Sequence, residues 1–436
     1  MAEQWLTLPW GQDELRLALP AEWRVTGVLE PAALPGVADP EAEVRRSLAE
    51  SIGMPRLDAL ASRGARVALV VDDGSRPTPV SLIAPMVVAQ LVAAGVRRED
   101  ITLVPALGQH RPMTEAELAA RVGPEVLAGG LRWENHDCDH AAGLVRLGAT
   151  SRGTEVLLNK TVAEADLVVS VGCIEPHIIA SFGGGYKNLF PGVAGRAMIT
   201  RNHGLNTAPD TYNNVGQPIE HNPMRLDLEE AGRMVKPPVF AVNAVINDKL
   251  QIVRMVSGDA VAAHREGIKT SAAIFGVKVP GEADLVIANS RPMDQDLRQG
   301  LKALANTIRA MKPGGAILTL VRANEGVGVF GLADRKLMSR GLLQVVAPLL
   351  VRAVPRLKLK SMGEENRFFL YFALQAMRRG LLLAYAPTIP GATKGNLPFL
   401  LFQDSPEAAI AAARRRLPAR AEVLVFPFGG STYPIL

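Results

Sequence analysis

The sequence predicts an α/β protein with two α/β domains. Three observations support this class: apolar runs alternate with stretches of helical periodicity, the same alternation starts afresh near residue 284, and 436 residues exceed one ordinary core. The segment GVKVPGEA at 276–283 is predicted to be the linker. We therefore expect an N-terminal domain at 1–278 and a C-terminal domain at 284–418.

In the first half, three apolar runs are predicted to be buried strands, and each leads into a polar loop. Because the carboxyl ends of parallel strands share one edge of a sheet, the three loops are expected to meet there. The runs are Arg66–Val71, Ile101–Pro105 and Ala165–Val171, and the loops carry Asp72–Arg76, His110 and His177.

The remaining elements follow from periodicity and from start signals. Thr114 and Glu117 form a capping box, which marks the start of a helix, and Leu342–Val351 is interpreted as a core helix. Further helices are predicted at Pro40–Ile52, at Pro79–Ala94, beyond Asn222-Pro223, at 258–272 and at about 294–312. Further strands are predicted within 14–30 and at Val239–Ile246, Leu285–Ala288, Ala316–Val321, Leu381–Ala386 and Glu422–Phe426.

Composition narrows the class of function. A net charge of +5 with interspersed charges makes nucleic-acid binding unfavoured, and no apolar run is long enough for a membrane span. Two cysteines, Cys138 and Cys173, do not make a disulfide framework, and no signal peptide is evident. We expect a cytoplasmic protein with no membrane or nucleic-acid partner; the sequence does not indicate an oligomeric state.

Two short motifs are weak. ENHDCDH at 134–140 has the composition of a metal site, but its residues do not favour a helix, so a polar turn is the preferred interpretation. EGVGVFG at 325–331 matches the G-x-G-x-x-G pattern of nicotinamide-dependent dehydrogenases, but Arg322–Glu325 separate it from the preceding strand. His221 and His264 fall in predicted helices and are interpreted as structural or surface residues.

The three polar loops carry stronger candidates. In the first, Arg76 would bind a carboxylate as a two-pronged donor, although Ser75 or Thr78 would equally serve as a helix cap. In the second, His110 follows a strand and suits acid–base chemistry near neutral pH. In the third, the glycine triplet 183–185 allows close backbone approach to a ligand, and Lys187 would bind an anion or anchor a covalent group.

Taken together, these motifs resemble the nickel-pincer-dependent lactate racemase family, which includes other 2-hydroxyacid racemases and epimerases. The resemblance spans most of the chain, and the motifs at matching spacing are far more specific than any one of them. They are DDGSRPTP at 72–79, GQHRPMT at 108–114, EPH at 175–177, FGGGYKNLFPGVAG at 182–195, NH at 202–203 and the pair Gln299 and Lys302.

The resemblance implies a cofactor and roles for these residues. The cofactor would be nickel held by a nicotinate-derived pincer mononucleotide, tethered to Lys187 beside Gly183, Gly184 and Gly185, with His203 as the protein ligand of nickel. His110 and His177 match the two acid–base histidines. The residues that match substrate-binding positions are Asp73, Arg76, Gln299 and Lys302.

The resemblance also implies an active site in the cleft between the two domains, with the segment at about 420–436 returning to the first domain. The implied reaction is reversible hydride removal from a 2-hydroxy acid, with proteins of cofactor biosynthesis as partners. The tryptophan of the family's second domain has no counterpart beyond Trp133, although Phe368 and Phe369 lie in the matching region, so the substrate is expected to be lactate-like or larger. A NAD-dependent 2-hydroxyacid dehydrogenase and a catalytically silent carboxylate-binding homologue are the alternatives.

Overall fold

The computed structural model describes residues 3–356 and 363–436. The chain divides into two compact units. The loop unit, named for its polar loops, consists of Ala33–Leu205 and Pro218–Ala273. The terminal unit, named for the two chain ends, consists of Met1–Ala32, Asn206–Gln217 and Ile274–Leu436.

The bounds of the strands and helices, in chain order, are as follows. The strands are β1 (Glu3–Trp10), β2 (Asp13–Pro20), β3 (Arg24–Val28), β4 (Val67–Asp72), β5 (Ile101–Ala106), β6 (Arg132–Trp133), β7 (Leu144–Ala149), β8 (Glu155–Asn159), β9 (Leu167–Cys173), β10 (Pro176–His177), β11 (Ser181–Phe182), β12 (Val239–Ile246), β13 (Ile252–Asp259), β14 (Gly276–Lys278), β15 (Ala283–Asn289), β16 (Met311–Leu320), β17 (Leu381–Tyr385), β18 (Leu401–Gln403), β19 (Glu422–Phe426) and β20 (Tyr433–Ile435). The α-helices are α1 (Pro40–Ala49), α2 (Leu57–Leu60), α3 (Val80–Ala93), α4 (Glu115–Val122), α5 (Pro124–Ala128), α6 (Lys160–Ala163), α7 (Arg196–Gly204), α8 (Pro223–Gly232), α9 (Ala262–Phe275), α10 (Leu297–Gly300), α11 (Lys302–Thr307), α12 (Arg340–Ala353), α13 (Glu364–Arg379), α14 (Gly391–Asn396) and α15 (Pro406–Arg414).

The loop unit is built on a six-stranded sheet in the order β13-β12-β9-β4-β5-β6. All neighbouring strands are parallel except β12 and β13. The central strands β4 and β9 are buried along their whole length, which explains their unbroken apolar sequences. Their side chains pack with α1 and α3 in one large apolar core, which holds the strand ends in fixed positions.

The terminal unit has a second six-stranded sheet, entirely parallel, in the order β18-β17-β16-β15-β19-β3. The β1–β2 hairpin and α15 pack on this sheet around Leu17, Trp23 and Ile410. The predicted α/β class with parallel sheets is therefore present in both units.

The compact units divide the chain differently from the predicted ranges 1–278 and 284–418. The first 32 residues belong to the terminal unit because β3 pairs in parallel with β19. The segment at about 420–436 lies in the same unit, since it supplies β19 and β20. Part of the predicted linker 276–283 is the strand β14, which pairs with β20.

Most predicted elements are confirmed, with ends displaced by a few residues. The strands predicted at Val239–Ile246 and Glu422–Phe426 are found with those bounds, and Thr114 forms its capping box with Glu117. The helix predicted at about 294–312 is wrong in extent, because α10 and α11 end by Thr307 and β16 begins at Met311.

Two other interpretations are corrected. The helix α12 covers Leu342–Val351, but it is not a core helix, because Leu342, Val345 and Leu349 are exposed. The glycines of EGVGVFG lie in a turn segment, and the next helix is α12, which begins at Arg340. The strand–turn–helix context that a dinucleotide-binding glycine motif requires is therefore not found at these described residues.

Within the described part of the chain, no helix is long and apolar enough to cross a membrane. Both cysteines, Cys138 and Cys173, are buried free thiols.

Candidate active site

Three loops leave the loop unit's sheet at one edge. In the parallel registers, Asp72 of β4 is opposite Ala106 of β5, and Val71 is opposite Val171 of β9. The loops after these strands therefore start side by side, as the sequence predicted. They carry the candidate residues Asp73, Arg76, His110, His177 and Lys187.

Asp73 and His110 form a close pair between the first two loops. The Nδ1 atom of His110 lies 2.5 Å from Oδ2 of Asp73, and the Ser75 hydroxyl donates to Oδ1 at 2.5 Å. Burial raises the pKa of Asp73, but the hydrogen bond from His110 and the charges of His110 and Arg76 outweigh burial and lower this pKa to about 2. An ionised carboxylate only accepts, so Nδ1 of His110 carries a proton and, in the neutral ring, Nε2 has the lone pair.

Arg76 contacts Glu175, a residue to which the sequence interpretation gave no role. Its Nη1 atom donates to Oε1 of Glu175 at 2.5 Å, and the Glu175 side chain is only 9% exposed. The Arg76 side chain is 24% exposed, and its partial burial by itself lowers its pKa, but the charges of Glu175 and Asp73 raise it. The guanidinium is thus held as a cation at the edge where the loops begin.

The expected helix caps are not found at Ser75 and Thr78. Helix α3 starts after Pro79 without a side-chain cap, and the two hydroxyls bind carboxylates instead. Thr78 donates to Asp72 at 2.5 Å, and Arg121 of α4 also donates to that carboxylate. Burial raises the pKa of Asp72 to about 6, although Arg121 opposes the rise. These contacts fasten the first loop to the sheet end.

His177 is held in the opposite way from His110. Its Nδ1 atom accepts the backbone N–H groups of Ile179 and Ala180 at 3.2 Å and 3.1 Å. A backbone N–H can only donate, so Nδ1 is unprotonated and the neutral ring carries its proton on Nε2. The two histidines are therefore locked in complementary tautomers, one with a basic Nε2 and one with an Nε2–H donor.

The loop that follows His177 is fixed by α8. Ser181 has a φ of 62°, a left-handed conformation that a non-glycine residue adopts at a cost of about 1 kcal/mol or more. Asn222 donates to the Ile179 carbonyl and to the Ser181 hydroxyl. The fully buried Arg225 donates to the carbonyls of Ala180 at 3.4 Å and Gly184 at 3.1 Å, and also to that of Phe182.

Residues of α9 and β12 hydrogen-bond the backbone of the glycine triplet. Nε2 of the buried His264 donates to the Gly183 carbonyl at 2.7 Å, and Asn243 accepts the Gly185 N–H at 3.2 Å. A Cβ on Gly184 would lie 2.6 Å from a side-chain carbon of Ile174, so glycine is required there. His264 is thus a structural residue, as interpreted, but one that supports the candidate site.

Lys187 and His203 lie on neighbouring elements of the same unit. Lys187 is in the 3-10 turn Gly185–Asn188, and its backbone N–H donates to the Gly184 carbonyl at 3.2 Å. His203 is in the last turn of α7. The preceding Asn202 donates to the buried Asp227 of α8 at 2.8 Å, which fixes this end of α7.

Gln299 and Lys302 belong to the terminal unit, on α10 and the start of α11. The Gln299 backbone N–H is capped by Asp296 at 2.7 Å, while its buried Oε1 has no hydrogen-bond partner among the described residues. Beside them, the Arg298 guanidinium lies 5.7 Å from the centre of the Phe369 ring. Of the two candidate phenylalanines, Phe368 is completely buried, whereas Phe369 contacts Arg298.

The donor chemistry of Lys187 and His203 fits the cofactor that the family resemblance implies. An imidazole at His203 and an amine at Lys187 are suitable for binding nickel and for forming an amide-type tether, respectively. Asp137, Cys138 and Asp139 come within 4.8 Å of one another, but both carboxylate oxygens of Asp139 are bound by Arg196. We therefore assign no metal to the 134–140 segment.

Comparisons with known proteins show the family of the chain. Residues 10–214 match the family model described as "Lactate racemase N-terminal domain". Lactate racemase from Thermoanaerobacterium thermosaccharolyticum is 30% identical over 327 residues, which cover 74% of this chain and 75% of that protein. Lactate racemase from Lactiplantibacillus plantarum is 30% identical over 289 residues, covering 65% and 66%.

Solved structures give the same result. The lactate racemase apoprotein from T. thermosaccharolyticum matches with a TM-score of 0.82 at 25% identity, covering 99% of this chain and all of that one. A protein from Thermotoga maritima shares the fold, with a TM-score of 0.65 at 15% identity and coverage of 91% and 98%.

Fold and site thus define an α/β protein whose candidate acid–base histidines, arginine and glycine triplet lie on loops that leave one edge of a largely parallel sheet. The chain belongs to the lactate racemase family.

Proposed function

We propose that the protein is a racemase of lactate or a related 2-hydroxy acid. The observation that carries the proposal is the pair of complementary histidines, His110 with a basic Nε2 and His177 with an Nε2–H donor. Interconversion of two enantiomers needs a group that takes the hydroxyl proton from one and a group that returns it to the other. His110 is set to take the hydroxyl proton of one enantiomer, and His177 holds a substrate oxygen through its Nε2–H and returns a proton from the doubly protonated ring.

The cofactor in this proposal is a nickel-pincer nucleotide bound covalently to Lys187, with His203 as a nickel ligand. When bound, it would supply reversible acceptance of the C2 hydride, which side chains alone do not provide. Gly183, Gly184 and Gly185 place the Lys187 turn, because their backbone is held by His264, Arg225 and Asn243. Proteins that make the cofactor are the proposed partners.

The substrate in this proposal is held by its carboxylate and hydroxyl groups. Arg76 is a partly buried cation suited to the carboxylate, and Asp73 keeps His110 in its basic tautomer for the hydroxyl. Gln299 and Lys302 are proposed to complete substrate binding, and the partnerless Oε1 of Gln299 supports this role. Arg298, next to Gln299 in the chain, contacts the Phe369 ring, and these two side chains are proposed to select the substrate's side chain.

The test is to coexpress the protein with cofactor-making enzymes. Intact mass and metal analysis should show an adduct on Lys187 and nickel, and chiral chromatography should show conversion of D-lactate or another 2-hydroxy acid into both enantiomers. Lys187→Ala should lose the adduct and the activity, whereas substitution of the exposed Lys160 by Ala should keep both.

Two outcomes would contradict the proposal. Full racemisation by Lys187→Ala would remove the cofactor assignment. A wild-type protein that carries the adduct but converts none of the 2-hydroxy acids would remove the activity.

A further inference from the structure

Two carboxylates and two basic side chains lie together where the loops leave the sheet. They are arranged as two separate pairs, Asp73 with His110 and Arg76 with Glu175. Proximity in the sequence would instead favour a pair between Arg76 and Asp73. Both lie on one loop, and the backbone N–H of Arg76 already donates to the Asp73 carbonyl at 3.2 Å. Arg76 and Asp73 also interact through their charges.

We infer that Glu175 is a positioning residue that keeps Arg76 away from Asp73, so that Asp73 remains the partner of His110. This inference rests on the proposed function, in which His110 exchanges the substrate's proton and Arg76 binds its carboxylate. In the EPH segment at 175–177, the sequence motif gave an acid–base role to His177 and none to Glu175. The inference gives Glu175 a role as well.

Arg76 is a partly buried cation, with a side chain that is 24% exposed. A guanidinium that loses its carboxylate where solvent reaches it only in part keeps an uncompensated charge, so it moves to another anion if one is within reach. Asp73 is that anion, since Thr78 and Arg121 already bind Asp72. The remaining ionisable neighbour is the Cys173 thiol, whose pKa burial raises well above its usual value, so it stays neutral. Glu175 is therefore what holds Arg76 in place.

Glu175 is itself rigid enough for this task. Its carbonyl accepts the Gly183 N–H at 2.7 Å, which ties it to the glycine loop, and its side chain is almost completely buried. Pro176 and His177 follow in the short strand β10. One residue thus connects the proposed carboxylate-binding arginine, the second histidine and the loop before Lys187.

The principal variant is Glu175→Gln, which keeps the shape and removes the charge. In the apoprotein, a crystal structure should show the Arg76 guanidinium within hydrogen-bond distance of Asp73. In the cofactor-loaded enzyme, kcat/KM should fall about 10- to 100-fold, since acid–base assistance by His110 is weakened. The acidic limb of the kcat/KM profile should move to lower pH by about one unit, because a guanidinium hydrogen-bonded to Asp73 would offset more of the negative charge that His110 faces.

Three controls separate positioning from general structural damage. Glu175→Asp keeps the charge and should restore the pH profile towards that of the wild type. Glu43→Gln removes another largely buried partner of an arginine, Arg46, and should leave the profile unchanged. If Glu175→Gln does not fold, the double variant Arg76→Gln with Glu175→Gln removes both charges and should show the pH profile of Arg76→Gln alone.

An Arg76 side chain that stays away from Asp73 in the Glu175→Gln crystal structure would overturn the inference, as would a double variant whose profile departs from that of Arg76→Gln. The apoprotein structure does not depend on catalysis. Wild-type protein that carries the Lys187 adduct yet racemises nothing would therefore defeat the proposed function and leave this inference to be decided by that structure.

Discussion

The Nδ1 atom of His110 lies 2.5 Å from Oδ2 of Asp73, although 37 residues separate them in the chain. The contact forms because β4 and β5 are parallel neighbours, so the loops after them begin side by side. It fixes the tautomer of a half-exposed histidine by means of a buried carboxylate. Several measurable properties depend on this geometry.

Asp73→Asn should lower kcat by about a hundredfold or more, because His110 would lose the group that keeps its proton on Nδ1. The measurement is the initial rate of racemisation by protein with equal nickel and adduct content. Asp58→Asn is the control, since Asp58 pairs with Arg56 on the surface. An Asp73→Asn enzyme with the wild-type kcat would show that the carboxylate does not orient His110.

Asp73 and Asp72 should affect stability in opposite directions as pH changes. The folded-state pKa of Asp73 is lowered to about 2, so its contribution is present above the unfolded-state value of 3.8 and is lost as pH falls towards 2. The folded-state pKa of Asp72 is raised to about 6, so its contribution is present below 3.8 and is lost as pH rises through 6.

Between pH 4 and pH 7, the titration of Asp72 alone should therefore lower the free energy of unfolding by about 2 kcal/mol. The measurement is the difference in unfolding free energy between wild type and Asp72→Asn by urea titration at several pH values. Relative to the variant, the wild type should become less stable as pH rises. A difference that does not change with pH would contradict the raised pKa.

The helix α12 offers a direct test of the corrected core assignment. Leu343 is 2% exposed and Leu342 is 52% exposed, although they are adjacent. Leu343→Ala should lower the free energy of unfolding by about 2 to 5 kcal/mol, and Leu342→Ala should change it by no more than about 0.5 kcal/mol. Equal losses in denaturant titrations would show that the outer face of α12 is covered in solution.

Periodicity predicted which segments pair as parallel strands, and that was enough to bring Asp73 and His110 to one edge. It was not enough to identify Glu175 or His264, because their partners Arg76 and Gly183 are 99 and 81 residues away. These contacts depend on how loops fold back over the sheet, which local spacing does not record. A buried histidine within a helix is the only signal His264 gives, and many core histidines share it.

Short-range rules also failed where a stronger partner was available. Ser75 and Thr78 have the sequence pattern of helix caps, yet both hydroxyls bind carboxylates, since hydrogen bonds to charged acceptors are the stronger ones. The predicted core helix α12 has an apolar sequence on both faces, and composition does not tell which face the protein covers. The division into units depends on β3 pairing with β19, a contact across almost the whole chain.

The last prediction concerns the buried support of the glycine loop. His264 donates to the Gly183 carbonyl and accepts from Arg265 at 3.0 Å, so both ring nitrogens are used and the ring is neutral. Burial and then the charges of Arg225 and Arg265 hold the pKa of His264 well below its usual value. The contribution of His264 to the free energy of unfolding is therefore present above its unfolded-state pKa near 6.5 and is lost as pH falls below that value.

His264→Leu should leave the Gly183 carbonyl without its donor, at a cost of about 1 to 3 kcal/mol, and should reduce adduct formation on Lys187 at equal expression. His264→Gln can still donate to that carbonyl, so it should recover adduct formation. Because glutamine does not titrate, the stability of this variant should not fall below pH 6.5 as that of the wild type does. Intact mass after coexpression and thermal unfolding at pH 5 and pH 8 are the two measurements. The exposed His221→Gln is the matched control. Full adduct formation by His264→Leu would show that the glycine loop places Lys187 without this support.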